Sequence, residues 1–353
     1  MNVLLVEPEK SKKYHTAYPP LGLLKLAAFH KNKGDKVQLV QGFSDNGFAP
    51  DLIYITSLFT YAYEPVHEVI KFYSEKYKRT RIVVGGIYAT LCPDHLQGIF
   101  KNRIEIYKGL FEEAEDILPD YSLVPNWDAS IIFSSRGCVR KCSFCSAPTL
   151  EPEYRTKKSI KNLVYPGHKR IIFWDNNILA SPYLKNIFEE LKELNLEVDF
   201  NQGLDARLID EEISLSIKEL KTKFIRLAYD SNGIKKSLKR SIKLLNDIGI
   251  NGRKIVVYCL YNFQDTPEDF LERIKDLLDM GVVAYPMRYE PLEPRPKNTF
   301  VSANWTAEQL EMVAKARRVM GYGGTFPPYE GLKKKILNAK DFEKAFQLKS
   351  IKI

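Results

Sequence analysis

The chain has 353 residues, 44% of them apolar and 27% charged, with 19 Gly and 19 Pro. That composition excludes a disordered, collagen-like or disulfide-stapled chain, and the length allows two domains with separate cores. The net charge is +9, and the last 21 residues hold seven lysines, from Lys333 onward, against Asp341 and Glu343.

The amino-terminal segment Met1-Asn2-Val3-Leu4-Leu5-Val6-Glu7-Pro8 carries no basic stretch and its apolar run is short, so it reads as a strand and not as a signal peptide. No apolar run approaches the roughly 18 residues a membrane span needs. Tyr18-Pro19-Pro20-Leu21-Gly22 opens a helix with an apolar face at Leu23, Leu24, Leu26, Ala27 and Ala28. Val37–Val40, Asp51–Ser57 and Arg81–Gly86 are further strands, with a helix through Val66, Val69, Ile70 and Phe72 between the last two. Such alternation means a doubly wound parallel sheet, Rossmann-like, with Gly85 and Gly86 at the strand ends where these sheets bind ligands.

A Pro-punctuated linker follows, and then the alternation resumes with a longer period. Strands are expected at Ser130–Ser134, Arg170–Trp174, Glu197–Phe200, Phe224–Tyr229, Lys254–Leu260 and Val282–Met287, with helices at Tyr183–Leu194, Asp210–Leu220, Ile234–Ile248 and Pro267–Met280. Six such units make a partial (β/α)6 barrel, short of the full eight, in which residues at strand carboxyl ends reach ligands. The domain plan is therefore residues 1–117, a linker at 118–129, the partial barrel at 130–300, and a short helical, basic C-terminal extension at 301–353. The lysine-rich end reads either as a solvated closing helix or as a contact surface for nucleic acid or another polyanion.

Of five cysteines, three lie on one loop directly after the first barrel strand, as Cys138-Val139-Arg140-Lys141-Cys142-Ser143-Phe144-Cys145. Such clustering points to metal or redox chemistry in a cytoplasmic protein. A structural zinc site wants four ligands in paired spacing, and no second pair is near. Three thiolates suit three irons of a 4Fe–4S cube, leaving the fourth iron open. Cys259, in a strand, reads as a buried structural thiol, with hydrogen donation to a radical as the alternative.

The C-x3-C-x2-C spacing, with Phe144 before the last cysteine, resembles the signature of the radical SAM superfamily, and the strand pattern after it agrees. The resemblance implies that Cys138, Cys142 and Cys145 hold a 4Fe–4S cluster whose open iron chelates S-adenosylmethionine. An external donor of flavodoxin or ferredoxin type would supply the electron that cleaves the sulfonium to a 5′-deoxyadenosyl radical. It also implies cofactor contacts beside Phe144. Asp175, with Asn176 next to it, would bind the methionine amine, unless Asp175 is a helix cap. Gln202 lies in a polar strand end, and Arg207 would pair with the methionine carboxylate, unless it closes a turn with Asp205. Strand parity turns Arg226 and Asp230 into the barrel, and Asp230 would meet the ribose hydroxyls. Tyr258 and Leu260 lie on the strand whose backbone would flank the adenine.

The first 117 residues are similar to the cobalamin-binding-type domain that precedes many such barrels. No Asp-x-His-x-x-Gly is present, so no lower-axial histidine is assigned. Two functional readings stay open. One is cobalamin-dependent methyl transfer, with Gly85 and Gly86 leaving room for a corrin. The other is cobalamin-free radical chemistry on a nucleotide, nucleic acid or peptide, with the first domain as scaffold. A non-catalytic electron-transfer protein is the third class, disfavoured by the open iron.

Overall fold

A computed structural model describes residues 1–8, 18–45, 47–319 and 330–348. It is a mixed α/β protein built on parallel sheets. The apolar run near the amino terminus forms β1 (Asn2–Glu7), followed by α1 (Leu21–Asn32), β2 (Lys36–Gln41), β3 (Leu52–Ser57), α2 (Tyr63–Lys76) and β4 (Arg81–Gly86). Two short helices, α3 (Ile87–Leu91) and α4 (Pro93–Phe100), lead to β5 (Glu105–Ile106). The sheet order is β2-β1-β3-β4-β5, with every pairing parallel. Because β1 lies between β2 and β3, the connections diverge there, which makes the β1/β3 edge the switch point of this sheet. The two-residue β5 was not anticipated, since a pair of residues carries no readable period.

The stretch expected as a linker is tied down. Tyr121 is buried with Leu21, Leu24, Ala129, Ile131 and Ile172, and its hydroxyl accepts from the Ile131 amide at 2.9 Å. Beyond it come β6 (Ala129–Ile132) and β7 (Ser135–Arg136), then α5 (Ala147–Leu150) and β8 (Arg155–Thr156). β7 and β8 pair antiparallel and clamp the base of the cysteine loop.

The remaining elements are β9 (Arg170–Phe173), α6 (Leu184–Leu194), β10 (Glu197–Phe200), α7 (Glu211–Glu219), β11 (Lys221–Thr222), β12 (Ile225–Ala228), α8 (Lys235–Asp247), β13 (Ile255–Tyr261), α9 (Pro267–Asp279) and β14 (Val283–Arg288). All six expected strands are present, but hydrogen bonding divides them into two parallel sheets, β11-β10-β9-β6 and β12-β13-β14. The break lies within one stretch of chain. Lys221 and Thr222 pair with β10, whereas Ile225 to Ala228 pair with β13. One backbone bond, from the Leu204 amide to the Arg226 carbonyl at 2.7 Å, crosses the gap.

Among the described residues three helices follow β14, α10 (Ala307–Val319), α11 (Glu330–Asn338) and α12 (Phe342–Phe346). Residues 320–329 and 349–353 of the expected extension, with Lys349 and Lys352, lie outside the described residues. The basic end does more than present lysines. Phe342 and Phe346 are fully buried, stacking near Phe270 and Trp305 in the core of the second half. Each such side chain contributes roughly 1.5–3 kcal/mol of burial. No helix among the described residues is long and apolar enough to cross a membrane.

Candidate active site

The carboxyl ends of the second-half strands surround a cavity of about 710 Å³, within the roughly 300–1,000 Å³ of small-molecule sites. Cys138, Cys142, Cys145 and Phe144 line it from the cysteine loop, Asn176 from the end of β9, Gln202 and Arg207 from the end of β10, and Asp230 and Leu260 from beyond β12 and within β13. Asp175, Tyr258, Gly85 and Gly86, also expected at cofactor sites, do not line it.

Local geometry shapes the cysteine loop. Gly137 has φ +71°, and a Cβ there would lie 2.3 Å from the Glu153 carbonyl oxygen, so only glycine lets the two backbones meet. The Cys138 and Cys145 sulfurs accept amide N–H groups from Arg140 at 3.3 Å and Ala147 at 3.4 Å. Burial pushes the Cys142 thiol up, and the neighbouring Cys145 adds to the shift. Among the described residues no three His, Cys, Asp or Glu side chains converge as a cage for one ion. A single zinc needs such a point, with donors at about 2.0–2.3 Å. Cys138, Cys142 and Cys145 all line the one cavity.

A charge cluster centred on one buried carboxylate faces the same space. Asp205, with its side chain 7% exposed, accepts from Arg207 at 2.6 and 3.1 Å, Arg140 at 3.0 Å and Asn177 at 3.2 Å. Burial works against its charge, yet Arg207 and Arg140 hold the carboxyl below its usual range. The Asp205–Arg207 turn is therefore real, and Arg207 still lines the cavity. Asn177 is buried, lines the cavity, and leaves Oδ1 with no partner among the described residues. An orphaned acceptor at a cavity wall fits a ligand that brings a donor. Asp230 is pushed up to about 6 by burial, against the opposing pull of Arg273, the Leu260 amide and Arg207.

Four of the expected positions are engaged within the protein. Asp175 is 2% exposed and accepts four bonds, from the Ser134 amide and hydroxyl at 3.1 and 2.6 Å and from those of Ser135 at 2.5 and 2.7 Å. It accepts no helix-cap bond, and it fixes the backbone leading into the cysteine loop. Tyr258 packs edge-on against Tyr285, ring centres 5.4 Å apart, away from the cavity. Leu260 lines the cavity, but its amide engages Asp230 and its carbonyl accepts from Arg273 at 2.8 Å. At Gly86, φ is +104° and a Cβ would lie 2.4 Å from the Ser57 carbonyl oxygen. The Gly85–Gly86 turn thus admits the Ser57 backbone, and the Ser57 hydroxyl seals it by donating to the Gly85 carbonyl and accepting from the Ala89 amide.

Other residues emerge only in three dimensions. Arg136 donates to both oxygens of Glu115, at 2.7 and 2.8 Å, and to Glu151 at 2.8 Å. Glu151 also accepts from the Gly137 amide at 2.6 Å and Asn176 at 2.9 Å, while Lys25 of α1 reaches Glu115 at 3.0 Å. This network ties the amino-terminal half to the base of the cysteine loop. Arg273 is buried on α9 and bonds Asp265 at 2.5 Å and the Asp230 carbonyl at 3.3 Å. Its sequence signal was an arginine on the apolar stripe of Phe270, Ile274 and Leu277. Cys259 is buried, and burial pushes its thiol up to about 12, the behaviour of a structural cysteine.

No protein-family model matches the sequence, and no curated protein matches it. Among solved structures, the chain is similar to coproporphyrinogen III oxidase (HemN) from Escherichia coli, reported as a radical SAM enzyme, with 13% identity and a TM-score of 0.39. The likeness covers 58% of this chain and 57% of that one, so the chain spans little more than half the length of the enzyme it matches.

Proposed function

We propose that this chain is a radical SAM enzyme, with a partial β/α barrel behind a Rossmann-like scaffold domain. The observation that carries the proposal is that three thiols of one C-x3-C-x2-C loop share a strand-end cavity with the Asp205–Arg207–Arg140 cluster and the orphaned Asn177 oxygen. A 4Fe–4S cluster with one open iron supplies, when bound, the electron that splits S-adenosylmethionine into methionine and a carbon radical able to take hydrogen from a substrate.

The chain's own side chains hold and orient. Cys138, Cys142 and Cys145 would ligate the cluster, on a loop held by Asp175 at one end and Glu151 along its side. Arg207, kept charged and fixed by Asp205, presents a guanidinium for the methionine carboxylate. Asn177 Oδ1 accepts from the methionine ammonium, the role first assigned to Asp175. Asp230 accepts from ribose hydroxyls, and Phe144 and Phe263, edge to face at 5.9 Å, wall the cavity beside it. An external donor of flavodoxin or ferredoxin type would deliver the electron.

For the amino-terminal half the cobalamin-free reading is favoured, because the close approach of Gly86 to the Ser57 backbone accounts for the glycine without a corrin. The test is anaerobic reconstitution with iron and sulfide, then incubation with dithionite and S-adenosylmethionine. About four irons per chain and formation of 5′-deoxyadenosine are expected. Protein from cells fed cobalamin should carry no corrinoid. An iron-loaded chain that forms no 5′-deoxyadenosine would end the radical assignment.

A further inference from the structure

Beyond the β13 end lies a second cavity of about 380 Å³, and Phe263 lines both it and the cysteine-lined one. A run of rings connects them. Phe144 meets Phe263 at 5.9 Å, Phe263 meets Tyr289 at 4.7 Å, and Tyr289 meets Phe300 at 5.7 Å. The strap carrying Tyr289 and Phe300 is pinned. Buried Asn262 donates to the Phe300 carbonyl at 3.1 Å and accepts from the Ser302 amide at 2.9 Å. Arg288 donates to the same Phe300 carbonyl at 2.6 Å, and Glu290 accepts from the Asn298 amide at 3.0 Å. The pocket is therefore formed before any ligand arrives.

Its polar groups are not fully engaged. Glu293 and Arg295 meet at 3.4 Å with side chains 71% and 43% exposed, a weak pair that a ligand can replace. Ser302 is 6% exposed, and its hydroxyl has no partner among the described residues. Aromatic walls with a carboxylate, a guanidinium and a hydroxyl describe a site for a flat ring with polar edges.

We propose that this second cavity binds the base of a nucleotide-type substrate, placing it next to the cysteine-lined cavity. The face of Tyr289 would stack the base, which every nucleobase allows, with Phe300, nearly perpendicular to it at 78°, meeting the base edge. Glu293 would accept from an exocyclic amino group, and Arg295 would donate to a ring carbonyl or phosphate. A purely apolar ring, such as a phenylalanine side chain, uses the walls but none of these three polar groups. Outside the pocket, Lys297 lies 4.9 Å above Tyr61, itself stacked on Phe59 at 4.9 Å, which continues the ring-and-cation surface. The assignment of the ligand as substrate rests on the radical SAM reading; the binding does not.

The test titrates adenosine, guanosine, cytidine and uridine 5′-monophosphates, and ribose 5-phosphate, into the reconstituted chain and into the iron-free chain by calorimetry. At least one nucleotide should bind at least about tenfold more tightly than ribose 5-phosphate in both. Tyr289→Ala and Phe300→Ala should each weaken that binding about fivefold or more. Glu293→Gln, on an exposed side chain, should change which base is preferred. Thermal melting and iron content report whether each variant folds. Equal affinity for ribose 5-phosphate, or unchanged base preference in folded Glu293→Gln, overturns the proposal. Nucleotide binding without 5′-deoxyadenosine formation would instead overturn the radical assignment and leave the pocket as proposed.

Discussion

The two halves of the chain use one device, a parallel sheet with its loops at the carboxyl edge, yet they treat that edge in opposite ways. In the amino-terminal half the described contacts at that edge are backbone ones, with the Gly86 backbone pressed on Ser57 and the Ser57 hydroxyl bridging Gly85 and Ala89. In the second half it is open, and thiols, guanidinium groups and carboxylates face a cavity. Glycine appears at both edges for one reason, close backbone approach. At Gly137 that approach anchors the cysteine loop, whereas at Gly86 it closes a turn. A shared architecture therefore says little about where ligands bind; the side chains admitted at the edge decide it.

The sharpest way to break the contrast is at the open edge. Cys142→Ala should abolish cluster loading and all 5′-deoxyadenosine formation, because no other cysteine lies on that loop to replace the ligand. Iron analysis and product chromatography check it, and wild-type turnover would refute the cluster assignment. Next in size is Asp175→Ala. It leaves the buried Ser134 and Ser135 amides without an acceptor, each at roughly 1–3 kcal/mol. A loss of about 3 kcal/mol in unfolding free energy, with reduced cluster retention, is expected in chemical denaturation. If stability and loading hold while affinity for S-adenosylmethionine drops, Asp175 is a cofactor ligand after all.

At the amino-terminal edge, Gly86→Ala should cost roughly 2–4 kcal/mol, from a strained positive φ and an overlap with backbone that cannot swing away. Its iron-loaded, folded fraction should still cleave S-adenosylmethionine. A variant as stable as the parent would mean that the turn has slack, and would reopen the question of a ligand there.

These outcomes turn on what a sequence can carry. The main strands of both sheets were legible because buried parallel strands are short apolar runs, and the cysteine loop because its ligands are seven residues apart. Asp230 was legible through strand parity. Short pairings such as β7 with β8 were not, because two residues have no period. Nor was the Arg136 network, whose partners Glu115 and Glu151 are set by the fold and not by spacing. The four bonds that Asp175 accepts were not legible, since their donors lie some forty residues away at Ser134 and Ser135. The glycine pair was ambiguous in principle, because the same residues permit either an empty space or a close approach.

The smallest expected effect compares the halves directly, by acid. Burial, with a contribution from His95, pushes His67 of the amino-terminal half down to about 4, while its Nε2 lies 2.8 Å from the Tyr88 hydroxyl. An unfolded chain takes up that proton near pH 6.5 and the native one does not, so His67 subtracts stability as pH falls from 6.5 toward 4. Asp230 of the second half runs the other way. Its folded value of about 6 lies above the ordinary 3.8, so between those values the native state binds a proton that the unfolded state does not. The destabilisation it brings is present above pH 6 and is relieved as pH falls. Amide hydrogen exchange between pH 7 and 4.5, corrected for intrinsic rates, reads β3 and β13 separately. Relative to His67→Gln, the parent should lose protection in β3 on acidification; relative to Asp230→Asn, it should gain protection in β13. If both variants track the parent in both strands, neither group couples to its half and the electrostatic contrast between the two edges is wrong.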